Sequence, residues 1–186
     1  MTKSIIVSGP PAVGKTTVAL GLAQEFALNY VSGGDILKNL AKEKGFDPTG
    51  NDWWDTKPGM EFLKQRTLNS DFDIHVDEQL KKIFDKNNAV LTSYTLPWLV
   101  NGGVKIWLEG SHPNSAKRMQ VRDNISAENA MEITKTRYDQ NKILYKKLYN
   151  FDFGMDETIF DIILNTDNLD AKQVLTNIIN QVRDML

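Results

Sequence analysis

The feature that most limits how this chain can fold is the segment GPPAVGKT at positions 9–16. It matches the pattern G-x-x-x-x-G-K-[ST] at every specified position, and the apolar run SIIVS at 4–8 precedes it. The glycines of such a segment let backbone N–H groups turn inward, and a following helix adds the partial positive charge of its N-terminus. The motif therefore predicts a strand, an anion-binding loop and a helix, in that order.

The anion that this loop suits is a nucleoside triphosphate, and we expect ATP together with Mg²⁺. Lys15 is long enough to reach the β- and γ-phosphates, and the hydroxyl of Thr16 can bind the metal ion. The residues predicted to hold the nucleotide are Gly9, Pro10, Pro11, Ala12, Val13, Gly14, Lys15, Thr16 and Thr17.

The rest of the chain alternates apolar runs with stretches of helical periodicity. Strands are predicted at 4–8, 28–32, 88–93, 103–110 and 160–166. Helices are predicted at 15–28, 35–45, 71–85, 115–123, 127–149 and 170–184, and residues 45–60 form an irregular excursion. Strands that alternate with helices imply a parallel sheet covered on both faces. The predicted fold class is α/β, a three-layer α/β/α sandwich with a five-stranded parallel sheet.

Composition excludes several classes of partner. The 186 residues are 41% hydrophobic and 25% charged, which suits one domain with a core of its own. A net charge of −2 does not favour nucleic-acid binding, and the lack of cysteine excludes disulfides and thiolate metal sites. No apolar run approaches the roughly 20 residues that a membrane span needs. We expect a cytoplasmic monomer or homodimer with no nucleic-acid or membrane partner.

Proteins with this loop include switch GTPases, motor or assembly ATPases and small kinases. A GTPase should carry Asn/Thr-Lys-x-Asp after a strand, but the segment ILNTDN at 163–168 lacks the lysine. An ATPase of the AAA type would need a larger domain and a strand that ends in paired acids. The sequence therefore favours a small kinase, which needs a basic lid over its phosphates.

Basic residues that suit such a lid follow the fourth predicted strand. Arg118 and Arg122 share one helical face in SAKRMQVRDNIS at 115–126, and Arg137 lies further along the chain. A solvated surface explains any one of them, but the set favours neutralisation of charge that develops during phosphoryl transfer. The predicted catalytic residues are Lys15, Asp35, Arg118, Arg122 and Arg137.

Several segments, in this order, resemble the nucleoside monophosphate kinase family, and within it the archaeal-type cytidylate kinases. They are GPPAVGKTT, YVSGGDILKNLAKEKG, KIWLEGS, AKRMQVRDNIS, and YKKLYNFD followed by FDIILNT, and they span nearly the whole chain. The resemblance implies a single P-loop kinase domain over residues 1–186 with a five-stranded parallel core. It also implies a helical acceptor-binding insertion at about 33–85 and a lid at about 115–140.

Three departures from the family pattern lie on the acceptor side. Lys38 stands where the family has an arginine for the acceptor's phosphate, and Leu144 stands at another arginine position. Thr92, Ser93 and Tyr94 replace the acid-Gly-Arg that ends the family's third strand. A lysine meets a phosphate as a point charge, without the two-pronged geometry of arginine. The donor side is unaffected, whereas the identity of the acceptor is open.

Aromatic side chains are frequent in the predicted acceptor region. Trp53 and Trp54 are adjacent in the segment NDWWDTKPGM at 51–60, and Tyr94 and Trp98 follow the third predicted strand. Their rings suit stacking on a pyrimidine, or forming the walls of a pocket for a smaller phosphorylated molecule. Packing accounts equally well for any single tryptophan.

Acidic residues bear on which kind of acceptor is used. A kinase that acts on a hydroxyl benefits from a carboxylate, whereas a phosphate nucleophile is already anionic. The candidates are Asp35, which also suits a helix N-cap, Asp55, and the pair Asp73 and Asp77, for which we expect a solvated helix face. The predicted substrate-binding residues are Asp35, Lys38, Trp53, Trp54, Arg66, Thr92, Ser93 and Tyr94.

Three functions remain open at this point. The first is a kinase for CMP or dCMP. The second is a kinase for a non-nucleotide phosphorylated metabolite such as mevalonate 3-phosphate, with Lys38 or Arg66 on the existing phosphate and Asp35 at the reacting 5-hydroxyl. The third is a regulatory or assembly factor for which ATP binding or slow hydrolysis is the output.

Overall fold

The computed structural model describes residues 3–50, 53–69 and 71–186. Residues 51 and 52, which open the segment NDWWDTKPGM, lie outside the described residues. Five parallel strands form one sheet in the order β2-β3-β1-β4-β5. The strands are β1 (Ile5–Ser8), β2 (Asn29–Ser32), β3 (Ala89–Thr92), β4 (Val104–Glu109) and β5 (Ile162–Asn165).

Helices connect the strands and cover both faces of the sheet. They are α1 (Lys15–Glu25), α2 (Gly33–Glu43), α3 (Lys57–Leu68), α4 (Asp71–Phe84), α5 (Leu96–Leu99), α6 (His112–Asp123), α7 (Ala127–Tyr149) and α8 (Ala171–Arg183). A 3₁₀ turn, Trp53–Asp55, precedes α3. We call the chain between β2 and β3 the β2–β3 insertion. We call α6 and α7 the lid helices, after the lid predicted at about 115–140, and their function as a lid remains a prediction.

The alternation of side chains along each strand explains why helices pack on both faces of the sheet and form three layers. Ile5 and Val7 of β1 are buried against α1 and α8, whereas Ile6 is buried in a separate cluster with α2 and α4. Successive side chains of a strand point to opposite faces, so β1, β2 and β3 contribute to both clusters. The predicted α/β sandwich with a five-stranded parallel sheet is confirmed.

An aromatic cluster completes the second face beneath α7. Trp107 of β4 is 5% exposed and packs edge-on against Phe153, 5.3 Å between ring centroids. Trp98 stacks on Phe151 at 4.4 Å, so its ring is part of this packing. α7 has 23 residues, and Tyr145 near its end is buried in the same cluster. No helix of the described residues is both long and apolar enough to cross a membrane.

Two local predictions were wrong. Helix α3 occupies part of the predicted excursion and its neighbouring residues, and it begins where Thr56 accepts a hydrogen bond from the Gly59 N–H at 3.2 Å. A threonine cap with proline in the first turn is a helix-start signal that the glycine- and proline-rich composition obscured. Asp35 is not an N-cap, because α2 starts earlier and Ser32 caps it by accepting from the Asp35 N–H.

Candidate active site

The loop between β1 and α1 is shaped to surround an anion. Gly9 and Gly14 adopt φ angles of 143° and 104°, and Ala12 adopts 57°. A side chain at Gly9 would place its Cβ 2.4 Å from the carbonyl oxygen of Leu108, so only glycine fits this approach to β4. These angles let the loop close tightly around the space above the N-terminus of α1.

The N-terminus of α1 faces this space without a side-chain cap among the described residues. Thr16 and Thr17 lie in its first turn and are exposed. Lys15 Nζ donates hydrogen bonds to the carbonyl oxygens of Gly9 at 2.9 Å and Pro10 at 2.6 Å, so its ammonium crosses the mouth of the loop. The open helix end, the hydroxyls and the fixed cation together fit a polyphosphate with a bound divalent ion.

Lys15 is close to Tyr94 and to two lid arginines. Its Nζ lies over the Tyr94 ring, 4.5 Å from the centroid. Burial lowers the pKa of Lys15, and the charges of Arg137 and Arg122 lower it further. The structure therefore brings Arg122 and Arg137 near the loop lysine, as the lid prediction required.

Arg118 is placed apart from those two arginines. Its guanidinium donates to the Thr166 hydroxyl at 3.1 Å and to the Thr166 carbonyl oxygen at 2.6 Å, just beyond the end of β5. The four-residue spacing of Arg118 and Arg122 places both on one face of α6. It does not reveal that Arg118 contacts Thr166 whereas Arg122 contacts Asp55. A catalytic role for Arg118 remains a prediction.

Asp55 joins the two lid helices to the β2–β3 insertion. Its carboxylate accepts from Arg122 Nη2 at 2.6 Å and from Arg137 Nη1 at 2.5 Å, and the side chain is 4% exposed. Sequence analysis included Asp55 only among the candidate acids. No local pattern links it to arginines that lie 67 and 82 residues further along the chain.

A small pocket lies beyond Tyr94, between α3 and α7. Its empty space is about 300 Å³ when the part open to solvent is included, but the cavity itself has a volume of only about 20 Å³, room for about one water molecule. Its lining residues are Leu63, Arg66, Tyr94, Arg137, Gln140, Asn141 and Leu144. Arg66, Tyr94 and Leu144 were all assigned to the acceptor side from the sequence. Tyr94 and Leu144, which both depart from the family pattern, therefore line the same pocket as Arg66 and Arg137. We call this space the acceptor pocket after the sequence prediction, and binding of an acceptor there remains a prediction.

Arg66 is held in the acceptor pocket by a buried ion pair. Its Nε and Nη2 donate to the two carboxylate oxygens of Asp73 at 2.7 and 2.6 Å, and Nη2 also donates to the Tyr145 hydroxyl at 2.8 Å. Asp73 and Asp77 are 7% and 4% exposed, so the predicted solvated face is wrong. Their partners come from α3, α7 and the chain after β3, which the periodicity of α4 does not reveal.

The hydroxyls that follow β3 serve mainly in structure. Ser93 Oγ accepts from the backbone N–H groups of Thr95 at 3.2 Å and Leu96 at 3.0 Å, at the start of α5. Thr92 and Ser93 are buried and do not line the acceptor pocket. Of the three residues that replace acid-Gly-Arg, only Tyr94 lines it. The structure thus favours a capping role for Ser93, and the predicted substrate contacts of Thr92 and Ser93 gain no support.

The remaining predicted acceptor residues lie elsewhere in the β2–β3 insertion. Trp53 is 4% exposed and packs against Phe62, which favours packing over ligand contact. Lys38 Nζ donates to the Gly50 carbonyl oxygen at 2.7 Å and lies 5.9 Å from the Trp54 ring centroid. Asp35 is exposed on the first turn of α2. Lys38, Trp53, Trp54 and Asp35 do not line the acceptor pocket, and their contacts with substrate remain predictions.

The electrostatics around Tyr94 favour its ionised form. Burial alone would raise the pKa of this phenol, but the charges of Lys15 and Arg137 outweigh burial and the pKa lies below its ordinary value. A polarised hydroxyl beside a lysine and two arginines is a strong hydrogen-bond partner for a polar acceptor.

Asp77 makes the stability of the fold depend on pH. Burial raises its pKa to about 6, although the hydroxyls of Thr95 and Tyr149 donate to it and favour the ionised form. Because the folded-state pKa lies above the unfolded value, the native state binds the extra proton, and stability falls as pH rises from about 4 to 6. We expect the stability of the wild type relative to Asp77→Asn to decrease by about 2 kcal/mol from pH 4.5 to 7.5, measured by urea denaturation. An unchanged difference would show that Asp77 titrates normally.

A five-stranded parallel sheet with this loop, a lysine across its mouth and arginines from an overlying helix pair define a P-loop kinase. The chain belongs to the cytidylate kinase-like family, whose sequence profile matches residues 4–168. It is 32% identical over 165 residues to a cytidylate kinase of Haloquadratum walsbyi, which covers 87% of this chain and 80% of that protein.

Two further comparisons agree with this assignment. A cytidylate kinase of Ignicoccus hospitalis is 30% identical over 176 residues, which cover 94% of this chain and 95% of that one. A gluconokinase of Sinorhizobium meliloti superposes with a TM-score of 0.60 at 14% identity and covers 98% of this chain and 93% of that one. The similarity to the Ignicoccus hospitalis protein supports membership of the family, and the superposition on the gluconokinase shows that the fold is shared. The protein is a small-molecule kinase, and the resemblance read from the sequence is confirmed.

Proposed function

We propose that the protein transfers the γ-phosphoryl group of ATP to a small phosphorylated acceptor, with CMP or dCMP as the first candidate. One arrangement supports this above all others: Lys15 spans the phosphate loop on one side of Tyr94, and the acceptor pocket opens on the other. Donor and acceptor would therefore meet at Lys15. The named cytidylate kinases among the relatives favour a cytidine nucleotide.

The donor side has a defined set of roles. Residues 9–17 would hold the triphosphate of ATP through backbone N–H groups, and the Thr16 hydroxyl would bind Mg²⁺. The ion would neutralise charge on the phosphates. Lys15, Arg122 and Arg137 would stabilise the charge that develops on the transferred phosphoryl group, which is the main catalytic requirement of this reaction.

The acceptor side supports a second candidate of a different chemical kind. Tyr94 and Leu144 stand at positions where the family pattern has arginines, and both line the acceptor pocket. A smaller non-nucleotide molecule, such as mevalonate 3-phosphate phosphorylated at its 5-hydroxyl, would need fewer cations. Arg66 and Arg137 would then bind its phosphate.

The decisive experiment is a coupled assay of ADP release with CMP, dCMP, UMP, AMP and a panel of phosphorylated alcohols that includes mevalonate 3-phosphate. Stimulation by CMP or dCMP supports the first candidate. Stimulation by a phosphorylated alcohol alone supports the second. Slow ATP hydrolysis that no acceptor stimulates would contradict both, and would favour the regulatory or assembly factor.

A pair of Tyr94 variants tests the acceptor pocket. Tyr94→Ala removes the ring that packs on Phe153 and Tyr145 and lies beneath Lys15, whereas Tyr94→Phe removes only the hydroxyl. We expect Tyr94→Ala to raise the KM of the acceptor by about tenfold, equivalent to about 1.4 kcal/mol, with the KM of ATP changed by less than about threefold. Tyr94→Phe should show the same effect if the hydroxyl binds the acceptor. Equal changes in both KM values would remove Tyr94 from the acceptor pocket.

A further inference from the structure

We propose that Asp55 is a positioning residue that sets Arg122 and Arg137 for phosphoryl transfer only when the β2–β3 insertion closes against the lid helices. The proposal rests on the kinase function proposed above. It assigns to one carboxylate the coupling between the acceptor side of the protein and the two arginines of the lid helices.

The geometry joins three separate elements at one side chain. One oxygen of Asp55 accepts from Arg122 of α6 at 2.6 Å, and the other accepts from Arg137 of α7 at 2.5 Å. Each arginine therefore has its guanidinium oriented by the same group. Since Asp55 belongs to the β2–β3 insertion, this orientation depends on the insertion and the lid helices being together.

Because the Asp55 side chain is buried, its contacts with Arg122 and Arg137 can couple the β2–β3 insertion to the lid helices, which an exposed ion pair would do only weakly. The Asp55 side chain is 4% exposed and that of Arg137 is 14% exposed. Arg122 is 42% exposed and also donates two hydrogen bonds to the carboxylate of the neighbouring Asp123, at 2.5 and 2.7 Å. A carboxylate buried to this degree is unfavourable without its cationic partners. Asp55 can therefore be desolvated only with the arginines in place, and the insertion and the lid helices must close together.

The local structure holds Asp55 rigidly toward the lid helices. Trp53, at the start of the same 3₁₀ turn, is buried, and the Thr56 hydroxyl donates to its carbonyl oxygen at 2.7 Å. Gly59 permits the tight contact between this turn and α3, since a Cβ there would lie 2.0 Å from the Trp53 carbonyl oxygen. The turn that carries Asp55 is thus fixed at both ends.

The charge of Asp55 also explains how three cations can share this region. Arg122 and Arg137 both act electrostatically on Lys15, and they would repel one another without an anion between them. Asp55 supplies that anion before substrate binds. The two arginines can then remain near the phosphate loop, ready for the charge that transfer creates.

The test compares Asp55→Asn with Asp55→Glu and with Asp47→Asn. Asparagine keeps the volume but cannot accept from both guanidinium groups as a carboxylate does. We expect Asp55→Asn to lower kcat by about 10- to 100-fold with the KM of ATP changed by less than about threefold. Asp55→Glu should recover part of kcat. Asp47→Asn removes the same charge from an exposed position of the β2–β3 insertion, and it should stay within about threefold of the wild type.

Hydrogen exchange of the full chain without substrate gives a readout independent of the reaction. Asp55→Asn should speed amide exchange in α6, in the lid half of α7 and in the 3₁₀ turn, and leave exchange in β1 and α8 unchanged. If the wild type transfers phosphate to no acceptor, the proposed function fails while exchange still tests the coupling. Unchanged kcat and unchanged exchange would overturn the positioning role. So would a uniform rise of exchange throughout the chain, because it would mark Asp55 as a general stabilising residue.

Discussion

Lys15→Ala is expected to lower kcat by at least about 10³-fold, because it removes a cation that is fixed across the mouth of the phosphate loop. The charge that develops on the transferred group would then lose the cation that the proposed function assigns to it. The carbonyl oxygens of Gly9 and Pro10 lie at the loop rim and can bind water in the variant, so the fold should persist. The measurement is acceptor-dependent ADP release together with the thermal unfolding midpoint.

A second lysine variant shows whether the effect of Lys15→Ala comes from the position of Lys15 or from the loss of one positive charge. Lys3 is exposed and its Nζ donates to the Met185 carbonyl oxygen. It precedes β1, whereas the phosphate loop follows the opposite end of that strand. Lys3→Ala removes the same charge from the protein as Lys15→Ala does, and it should leave kcat unchanged. Turnover by Lys15→Ala above about a tenth of the wild-type rate would overturn the phosphate-loop assignment.

Arg66→Met is expected to destabilise the fold by about 3–5 kcal/mol, because it leaves the Asp73 carboxylate buried without its cation. The loss of the hydrogen bond to Tyr145 adds to this cost. Urea denaturation measures the free energy of unfolding directly.

A double variant distinguishes the role of Arg66 in folding from its role in the acceptor pocket. Arg66→Met combined with Asp73→Leu removes both charges and replaces them with apolar volume, so it should recover most of the lost stability. The KM of the acceptor should nevertheless stay raised, because the cation that lines the pocket is gone. A double variant whose two stability costs simply add would show that the ion pair has no energetic coupling. A stable double variant with normal acceptor KM would exclude Arg66 from acceptor binding.

The parts of the fold that local patterns determine were predictable. The phosphate loop and the strand before it depend on adjacent residues, and the buried strands are short apolar runs bounded by turn residues. Helix α3 was missed although Thr56 and Pro58 mark its start, since the surrounding glycine, proline and aspartate residues favour a loop.

The site was harder to predict because its contacts join distant parts of the chain. Asp73 and Asp77 have the spacing of a solvated helix face, yet Arg66 and Thr95 draw them into the interior. Asp55 carries no local signal for its contacts with the lid helices. By contrast, Tyr94 was singled out by its place after a strand in an α/β sheet, and it lines the acceptor pocket.

The continuity of α7 has a mechanical consequence. At 1.5 Å per residue its 23 residues form a rod about 34 Å long, with Arg137 in its middle and Tyr145 embedded in the aromatic cluster. A rod anchored in this way cannot swing freely at its lid end, so tilting Arg137 toward a substrate also strains the rings around Trp98 and Trp107. Both indoles fluoresce, so we expect the emission of Trp98 and Trp107 to change when the lid end of α7 moves.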